Sequence, residues 1–318
     1  MITRISYFLI GIIIFQLQAC SQKNEQKDKL IQEGIANFNS HKYKDALNSF
    51  DDLIKLDSAD FVSWAFRGRT LHLLNRDADA FKSFAKALSI NPEYSDGYSY
   101  RAVLYSINSE PELALKDINT ALLSKKNDTT LLLLQAGFLF KLKKIDSSIK
   151  VCNYLIKINP TNAQALYYRG ASYKKSENIN LALEDFNNSI SLNPTDPEVF
   201  NDRGFIFISQ NKYSLAISDF SKSIQLAGVE DSMAKAYAYN NRGFCLYKSG
   251  NLNDALKDMN YSIQLLPINS YAYKNRSLVF LEMKRKSQAC EDIKISLSLG
   301  FTEKFGDEVL NLQSKYCK

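Results

Sequence analysis

The sequence predicts an all-α protein, a solenoid of about eight helical hairpins. The first observation behind this prediction is a pattern that recurs every 34 residues from about residue 27. Each period contains two amphipathic segments at helical spacing, near positions 2–14 and 18–30, with a tight turn between them. Proline stands at position 32 in four periods, where it cannot continue the second helix. One hairpin cannot bury its apolar faces alone, so successive hairpins must stack.

The composition argues against several classes of protein. Apolar residues make up 45% and charged residues 23% of the 318 residues, which is typical of a folded chain. The net charge of +6 is spread without a long basic run, so nucleic acid is not an expected partner. Two histidines and five scattered cysteines leave little room for a metal site or a Cys/His catalytic pair. We expect no small-molecule cofactor, no metal and no enzymatic activity.

The first element of the chain reads as an export signal. Arg4 precedes an apolar run of thirteen residues, 5–17, and this run is shorter than the roughly 20 residues that span a bilayer. The run ends in Leu-Gln-Ala-Cys, and a polar stretch follows Cys20. This segment resembles a bacterial lipoprotein signal with its lipobox. The resemblance implies cleavage before Cys20, a diacylglycerol on its thiol and acylation of its amine.

Residues 1–19 are therefore interpreted as the signal peptide and residues 20–28 as a polar tether. The expected protein is exported and held by its lipid on a membrane of the cell envelope, and the outer membrane is favoured over the inner one. A plain secretory signal and an uncleaved anchor are the alternatives.

The second element, residues 29–303, comprises the repeats. Across a hairpin, position 8 of the first helix lies level with position 24 of the second helix. Glycine at position 8, such as Gly68, therefore makes room for a large side chain such as Phe84. Five extra residues, Asp231 to Lys235, interrupt the register between the sixth and seventh repeats. The residues at position 8 are all small: Gly34, Gly68, Ala102, Ala136, Gly170, Gly204, Gly243 and Ser277.

This pattern over residues 27–303 resembles the tetratricopeptide repeat (TPR) family. The resemblance implies a right-handed superhelical solenoid in which the first helices line the concave face. The third element, residues 304–318, contains the amphipathic segment Asp307 to Tyr316. We expect this segment to form a C-terminal capping helix that shields the last repeat from solvent.

Two charged positions vary together among the repeats. Arginine at position 7 and aspartate at position 23 occur together in five repeats and are both absent in two. Because the two positions lie about level across the hairpin, we predict an ion pair inside each of these repeats. The second repeat is the exception, with Arg67 and Ser83, and an arginine ladder for an anionic ligand is the alternative interpretation. The predicted pairs are Arg101–Asp117, Arg169–Asp185, Arg203–Asp219, Arg242–Asp258 and Arg276–Asp292.

The TPR resemblance also implies where ligands bind, at positions 2, 5, 9, 12 and 13 of the concave groove. From the fifth repeat onward these positions carry aromatic residues, asparagine and lysine, which suit an extended peptide or a partner helix. The lysines predict attraction to an acidic segment. Alternatively, aromatics such as Phe205 and Phe244 pack between neighbouring first helices. The candidate groove residues are Tyr167, Lys174, Lys175, Asn201, Tyr237, Asn240, Tyr247, Lys248, Tyr271 and Lys274.

The remaining cysteines fall into two groups. Cys152 and Cys245 lie at apolar helix positions and are expected to be buried thiols. Cys290 precedes the end of the eighth hairpin by about ten residues, and Cys317 follows the start of the capping segment by about ten. An antiparallel arrangement would bring these two close together, within the range of about 7 Å between Cα atoms that a disulfide requires. The sequence leaves open whether they form that disulfide.

The predicted function is that of a membrane-tethered adaptor or scaffold that binds segments of partner proteins in its groove. Aromatic side chains also bind sugars, so a glycan-binding envelope protein is the alternative. An enzyme, the third interpretation, would need a cluster of titratable groups in one pocket, and the sequence shows no such cluster.

Overall fold

The computed structural model describes residues 23–228 and 231–317, and every regular element in these residues is a helix. The all-α class predicted from the repeat is therefore confirmed. The predicted signal peptide and Cys20 lie outside the described residues. The chain forms two compact units, and the boundary between them falls between Val151 and Cys152, inside one helix.

Unit 1 is a tandem array of antiparallel helices. The third helix packs against the fourth and the fifth against the sixth as hairpins, while the fourth also contacts the fifth. The first helices of the second and third repeats touch each other. The helices are α1 (23–39), α2 (Tyr43–Leu56), α3 (Phe61–Leu73), α4 (Asp77–Ile90), α5 (Ser95–Ile107), α6 (Pro111–Ser124), α7 (Thr129–Lys141) and α8 (Ile145–Ile158), which contains the boundary.

Unit 2 continues the same pattern. Its hairpins pair α9 with α10, α11 with α12, α13 with α14 and α15 with α16, and each hairpin stacks on the next. First helices again touch, α9 with α11 and α13 with α15. The helices are α9 (Ala163–Lys175), α10 (Ile179–Leu192), α11 (Pro197–Ser209), α12 (Tyr213–Leu226), α13 (Ser232–Lys248), α14 (Leu252–Leu265), α15 (Ser270–Glu282), α16 (Lys286–Ser298), α17 (Phe301–Phe305) and α18 (Glu308–Tyr316).

A glycine lies against a large side chain inside five of the described hairpins, as the sequence predicts. A Cβ atom placed on Gly68 would lie 2.7 Å from Cε1 of Phe84, and one on Gly204 would lie 2.9 Å from Cζ of Phe220. Both phenylalanines are almost completely buried. The glycines therefore set the distance between the two helices of a hairpin, since any side chain there would overlap a ring that is fixed by its neighbours.

The turn inside every hairpin contains one residue in the left-handed region of backbone conformation. It stands at position 15 of each of the eight repeats, and only Gly250 among these residues is a glycine. Ordinary side chains rarely adopt a positive φ, so the stacking of two helices imposes this conformation on the turn. The other residues are His41, Asn75, Ser109, Lys143, Glu177, Asn211 and Lys284, with φ from 57° to 62°.

A polar side chain at position 34 caps the helix that begins the next repeat at four places in the described part of the chain. The carboxylate of Asp60 accepts hydrogen bonds from the amides of Val62 and Ser63, and Asp196 accepts one from the amide of Glu198. Asp128 and Asn162 cap α7 and α9 in the same way. These caps satisfy amides that have no partner inside the helix, and they fix where these four repeats start.

The structure corrects the predicted tether. Residues 23–28 are helical and belong to α1 rather than to a polar linker. Lys27 explains part of this difference, because its Nζ lies 2.9 Å from Oδ2 of Asp57 and 3.5 Å from Oδ2 of Asp60. The two carboxylates lie at the end of the first repeat and attach α1 to the turn that follows α2.

The C-terminal segment packs on the last repeat through α17 and α18. Phe301 and Val309 are fully buried against Ile293 of α16. A disulfide joins Cys290 of α16 to Cys317, which follows α18, with 5.5 Å between their Cα atoms. The structure thus shows the disulfide that the sequence left open, and it adds the short helix α17 before the expected cap.

The five-residue insertion does not form a loop of its own. It lengthens α13, which starts at Ser232 and has 17 residues, whereas the other first helices from α3 to α15 have 13. The side chain of Asp231 caps this extension by accepting a hydrogen bond from the amide of Ala234. The extra turn brings Asp231 and Ala234 next to the sixth repeat, where they contribute to the candidate site.

Candidate functional site

All five predicted ion pairs are present inside their repeats. In each pair the guanidinium donates two hydrogen bonds to one carboxylate, from Nε and Nη2, at 2.7–2.9 Å. The aspartate side chains keep 3–10% of their exposure, and the arginine side chains keep 19–23%. Such paired forks give strong charge-assisted bonds with a defined direction.

A third hydrogen bond ties most of these arginines to the preceding repeat, which the sequence analysis missed. Nη1 of Arg203 donates to Oδ1 of Asn187 at 2.7 Å, and Nη1 of Arg276 donates to Oδ1 of Asn260 at 2.7 Å. Arg67, which has Ser83 instead of an aspartate, obtains its carboxylate in this way, from Asp51 at 2.6 Å. The acceptors all stand at position 25, so the pattern was visible in the repeat alignment. The arginines therefore link hairpins and offer no free ladder to an anionic ligand.

A cavity of about 290 Å³ opens on the first-helix face of unit 2, the face formed by α9, α11, α13 and α15. Three predicted groove residues line it, namely Tyr167 of α9, Asn201 of α11 and Tyr237 of α13. Tyr237 is 46% exposed, so its ring is available to a ligand. Partial burial and the nearby carboxylate of Asp202 raise the pKa of Tyr167, so its hydroxyl remains a hydrogen-bond donor.

Carboxylates also line this cavity, and the sequence analysis did not select them. They belong to Glu198, Asp202 and Asp231. Desolvation and, next, the neighbouring charge of Asp196 raise the pKa of Glu198. The charge of Asp202 is balanced, because Nζ of Lys174 lies 2.7 Å from its Oδ1. Two carboxylates remain without a balancing cation in the lining, so the cavity attracts positive charge.

The lysines of the predicted groove are less available than the sequence suggests. Lys174 is bound to Asp202 and also lies over the ring of Phe205, at 5.8 Å from its centroid. Lys274 is buried, with 6% of its surface exposed, and its Nζ lies 2.7 Å from Oε1 of Glu308 in α18. The prediction that Lys274 contacts a ligand is therefore wrong, since the capping helix already occupies it. Lys175 and Lys248 are exposed.

Three more predicted groove residues have packing partners. Asn240 is 3% exposed and accepts a hydrogen bond from Nδ2 of Asn275 at 2.9 Å, so it holds α13 to α15 and is not a ligand contact. Tyr247 is half-buried against the core of the seventh repeat. Tyr271 lies 4.5 Å from the ring of Phe305, centroid to centroid, beneath the C-terminal segment. Asn240 is thus covered by a neighbouring first helix, whereas Tyr247 and Tyr271 pack on one side and keep part of their surface exposed.

Among residues 23–228 and 231–317, no group of three or more His, Cys, Asp or Glu side chains could hold a metal ion. In the same residues, no helix combines the length and the apolar content that crossing a bilayer requires.

Comparisons with known proteins give the same repeat pattern. Models of the tetratricopeptide repeat match residues 31–95, 163–196 and 236–269, and the last two ranges coincide with the fifth and seventh repeats. The DnaJ homolog subfamily C member 3 homolog of Dictyostelium discoideum is 28% identical over 167 residues, which cover 46% of this chain and 33% of that protein.

Solved structures show the same fold. One chain of the crystal structure of the APC/C hetero-tetramer Cut9–Hcn1 superposes with a TM-score of 0.66 at 16% identity. The match covers 89% of this chain and 55% of that chain. YrrB, a TPR protein with an unusual peptide-binding site, gives a TM-score of 0.50 at 18% identity, over 62% of this chain and 97% of that one. This chain therefore contains tetratricopeptide repeats and folds as a solenoid of them.

Proposed function

We propose that this protein is a non-catalytic adaptor that binds a segment of a partner protein on the first-helix face of unit 2. The cavity between α9, α11 and α13 carries this proposal. It combines two tyrosine rings, Tyr167 and Tyr237, with the amide of Asn201. Tyrosine offers a large contact area and a polar tip at a small loss of side-chain entropy, which favours recognition of peptides.

The charge of the cavity defines the partner segment further. Glu198 and Asp231 contribute carboxylates that no lysine of the lining balances. A lysine or arginine of the partner would place its cation between these carboxylates and its methylene groups against the tyrosines. This proposal reverses the sign predicted from the sequence, because Lys174 and Lys274 are already paired within the protein.

We further propose that Cys20 attaches the adaptor to the cell envelope through lipid. The support is the Leu-Gln-Ala-Cys sequence after an apolar run of thirteen residues. Replacement of Cys20 by alanine should move the protein from the membrane fraction to the soluble fraction. Membrane retention of the Cys20→Ala variant, with no acyl group found by mass spectrometry on the wild type, would contradict the lipid anchor.

Peptide selection tests the binding proposal. The full chain, purified in detergent, is used to select from a phage-displayed library of random dodecapeptides. We expect enrichment of peptides that contain lysine or arginine beside apolar residues. Their synthetic versions should bind the Tyr237→Ala variant at least about 10-fold more weakly, which corresponds to about 1.4 kcal/mol.

A matched control separates binding from folding. Tyr261 is 44% exposed, similar to Tyr237, but it lies on the second helix α14. The Tyr261→Ala variant should keep full affinity, and both variants should keep the helical circular dichroism of the wild type. Equal losses in the two variants, or no enriched peptide, would refute the proposal. Binding to a glycan array that depends on Tyr237, without any enriched peptide, would instead assign the cavity to sugars.

A further inference from the structure

A second cavity, of about 270 Å³, lies in unit 1, on the face formed by the first helices α1, α3 and α5. Its lining includes Phe38 of α1, Leu73 of α3, and Tyr100 and Val103 of α5. The lining is mainly apolar, and the sequence analysis selected no residue of unit 1 for binding. The cavity has room for one or two apolar side chains of a ligand.

Arg69 provides the only formal positive charge in this lining. Its guanidinium carbon lies 4.7 Å from the ring centroid of Phe38, 5.3 Å from that of Phe66 and 4.4 Å from that of Tyr100. Three rings from three successive first helices therefore hold one planar cation. Stacking of this kind fixes the guanidinium without using its hydrogen-bond donors.

Within the described residues, the donors of Arg69 have no acceptor. In residues 23–228 and 231–317, no ion pair or hydrogen bond to this side chain is present. Arg67, two residues earlier on the same helix, differs in this respect, because it donates to Asp51 and to Ser83. A guanidinium has five donors in a fork that matches a carboxylate, so Arg69 presents an unused anion-binding group at the edge of an apolar cavity.

His72, which also lines the cavity, does not bring a carboxylate to Arg69. His72 is engaged with Asp77, since its Nδ1 lies 2.8 Å from Oδ1 of that carboxylate. Asp77 also accepts a hydrogen bond from Asn108 at 3.4 Å and is not part of the lining. The rim of the cavity is formed by exposed apolar side chains, Leu73 at 43% and Val103 at 39% exposure.

We propose that this cavity binds a protein segment in which an aspartate or glutamate stands next to a large apolar residue. The carboxylate would receive the donors of Arg69, and the apolar side chain would fill the cavity between Phe38, Leu73 and Val103. The charge of this segment is opposite to that expected for the cavity of unit 2. Unit 1 thus provides a second docking site with its own specificity, and the two sites are tested independently.

The test uses the same dodecapeptide library on the full chain, with a parallel selection on the Arg69→Gln variant. We expect one group of peptides to be enriched on the wild type and absent from the variant. This group should contain an acidic residue beside leucine, isoleucine, phenylalanine or methionine. Its synthetic members should bind Arg69→Gln at least about 10-fold more weakly, the scale of one lost charge-assisted contact of about 1.4 kcal/mol. Their affinity for the wild type should fall with added salt.

One control variant and a second variant of the lining guard against a loss of structure. Arg285 also lies over an aromatic ring, 5.0 Å from the centroid of Phe280, and it is exposed, so Arg285→Gln removes the same charge elsewhere. This control should bind like the wild type. Leu73→Asn changes only the exposed rim and should weaken the same peptides while the melting temperature is retained.

Three outcomes would overturn the proposal. The first is that the Arg69→Gln variant enriches the same acidic peptides as the wild type. The second is that no acidic, apolar peptide is enriched at all. The third is that octanoate, used as a small carboxylic acid, binds in an Arg69-dependent manner while no peptide does, which would assign the cavity to a small molecule. If the Arg69→Gln variant has a lower melting temperature than the wild type, the affinity of the Leu73→Asn variant is the test instead. Unchanged binding of the acidic peptides by Leu73→Asn would then overturn the proposal.

Discussion

Replacing Arg203 by alanine measures what one of the buried ion pairs contributes to the repeat that contains it. The guanidinium donates to both oxygens of Asp219, at 2.7 and 2.8 Å, and to Asn187 of the preceding repeat at 2.7 Å. The side chain of Asp219 is only 6% exposed. The substitution would leave a nearly buried carboxylate without its cation and without either hydrogen bond.

The expected cost lies between two limits. Removing one partner of a fully buried pair costs about 3–5 kcal/mol, whereas a surface pair contributes about 0–1 kcal/mol. Arg203 keeps 19% of its exposure, so water can reach Asp219 through the space that the truncated side chain leaves. We therefore expect a loss of about 2–3 kcal/mol in the free energy of unfolding of this region.

Hydrogen exchange is the appropriate assay because repeat arrays open locally and not always as one unit. Amides of α11 and α12 should lose protection in the Arg203→Ala variant, while amides of α3 and α4 should keep it. The matched control is Arg76→Ala. Arg76 pairs with Asp79 at the same distance, 2.7 Å, but the two side chains are 51% and 36% exposed. This control should cost less than about 1 kcal/mol.

A double-mutant cycle with Asp219→Ala tests the assignment of the pair itself. Because the two side chains contact each other directly, their effects should not add, and the coupling energy should exceed about 0.5 kcal/mol. A coupling of zero, or a loss in Arg76→Ala as large as that in Arg203→Ala, would refute the reasoning that burial makes the pair important.

Other substitutions follow from the turns, the glycines and the disulfide. Gly68→Ala should lower the free energy of unfolding, measured by urea denaturation, by about 1–3 kcal/mol, because the new Cβ would lie 2.7 Å from a ring carbon of buried Phe84. An unchanged urea midpoint would contradict the close contact between the two helices. Glu177→Gly should raise the same free energy by about 0.5–1 kcal/mol, since Glu177 has a φ of 61°; a loss of stability would show that the turn tolerates the side chain. Cys317→Ser removes a disulfide that links residues 27 apart, so amides of α18 should lose protection from hydrogen exchange. The loop-closure entropy that the disulfide removes from the unfolded chain corresponds to about 3–4 kcal/mol of stability. Unchanged protection would mean that the disulfide does not stabilise α18.

Much of the fold could be predicted because its contacts are local in sequence. Each hairpin closes within one period of 34 residues, and each ion pair joins residues 16 apart. The repeats act as an internal comparison, so one rule about positions 8 and 24, or 7 and 23, is tested several times within one chain. The positive φ at position 15 escaped prediction because residues such as Lys143 and Glu177 carry no signal for it. Stacking of the helices imposes that conformation.

The candidate site was predicted only in part. Tyr167, Asn201 and Tyr237 line the cavity of unit 2, as their positions in the repeat suggested. Asn240 and Lys274 occupy equivalent positions but are buried by a neighbouring helix and by the capping helix. Nothing in the composition of these positions distinguishes the two groups.

The sequence by itself determined the hairpins, their number and the ion pairs that close them, since all of these depend on spacing within one period. Only the tertiary structure decided which charges remain available to a partner. Lys174 reaches Asp202, 28 residues away, and Lys274 reaches Glu308, 34 residues away. Arg69, by contrast, meets three aromatic rings and, among residues 23–228 and 231–317, no carboxylate. Such pairings depend on how successive hairpins stack and on which basic side chain lies within bonding distance of a given carboxylate. Spacing along the chain encodes neither of these, so the charge of a binding surface emerges only when the repeats are packed together.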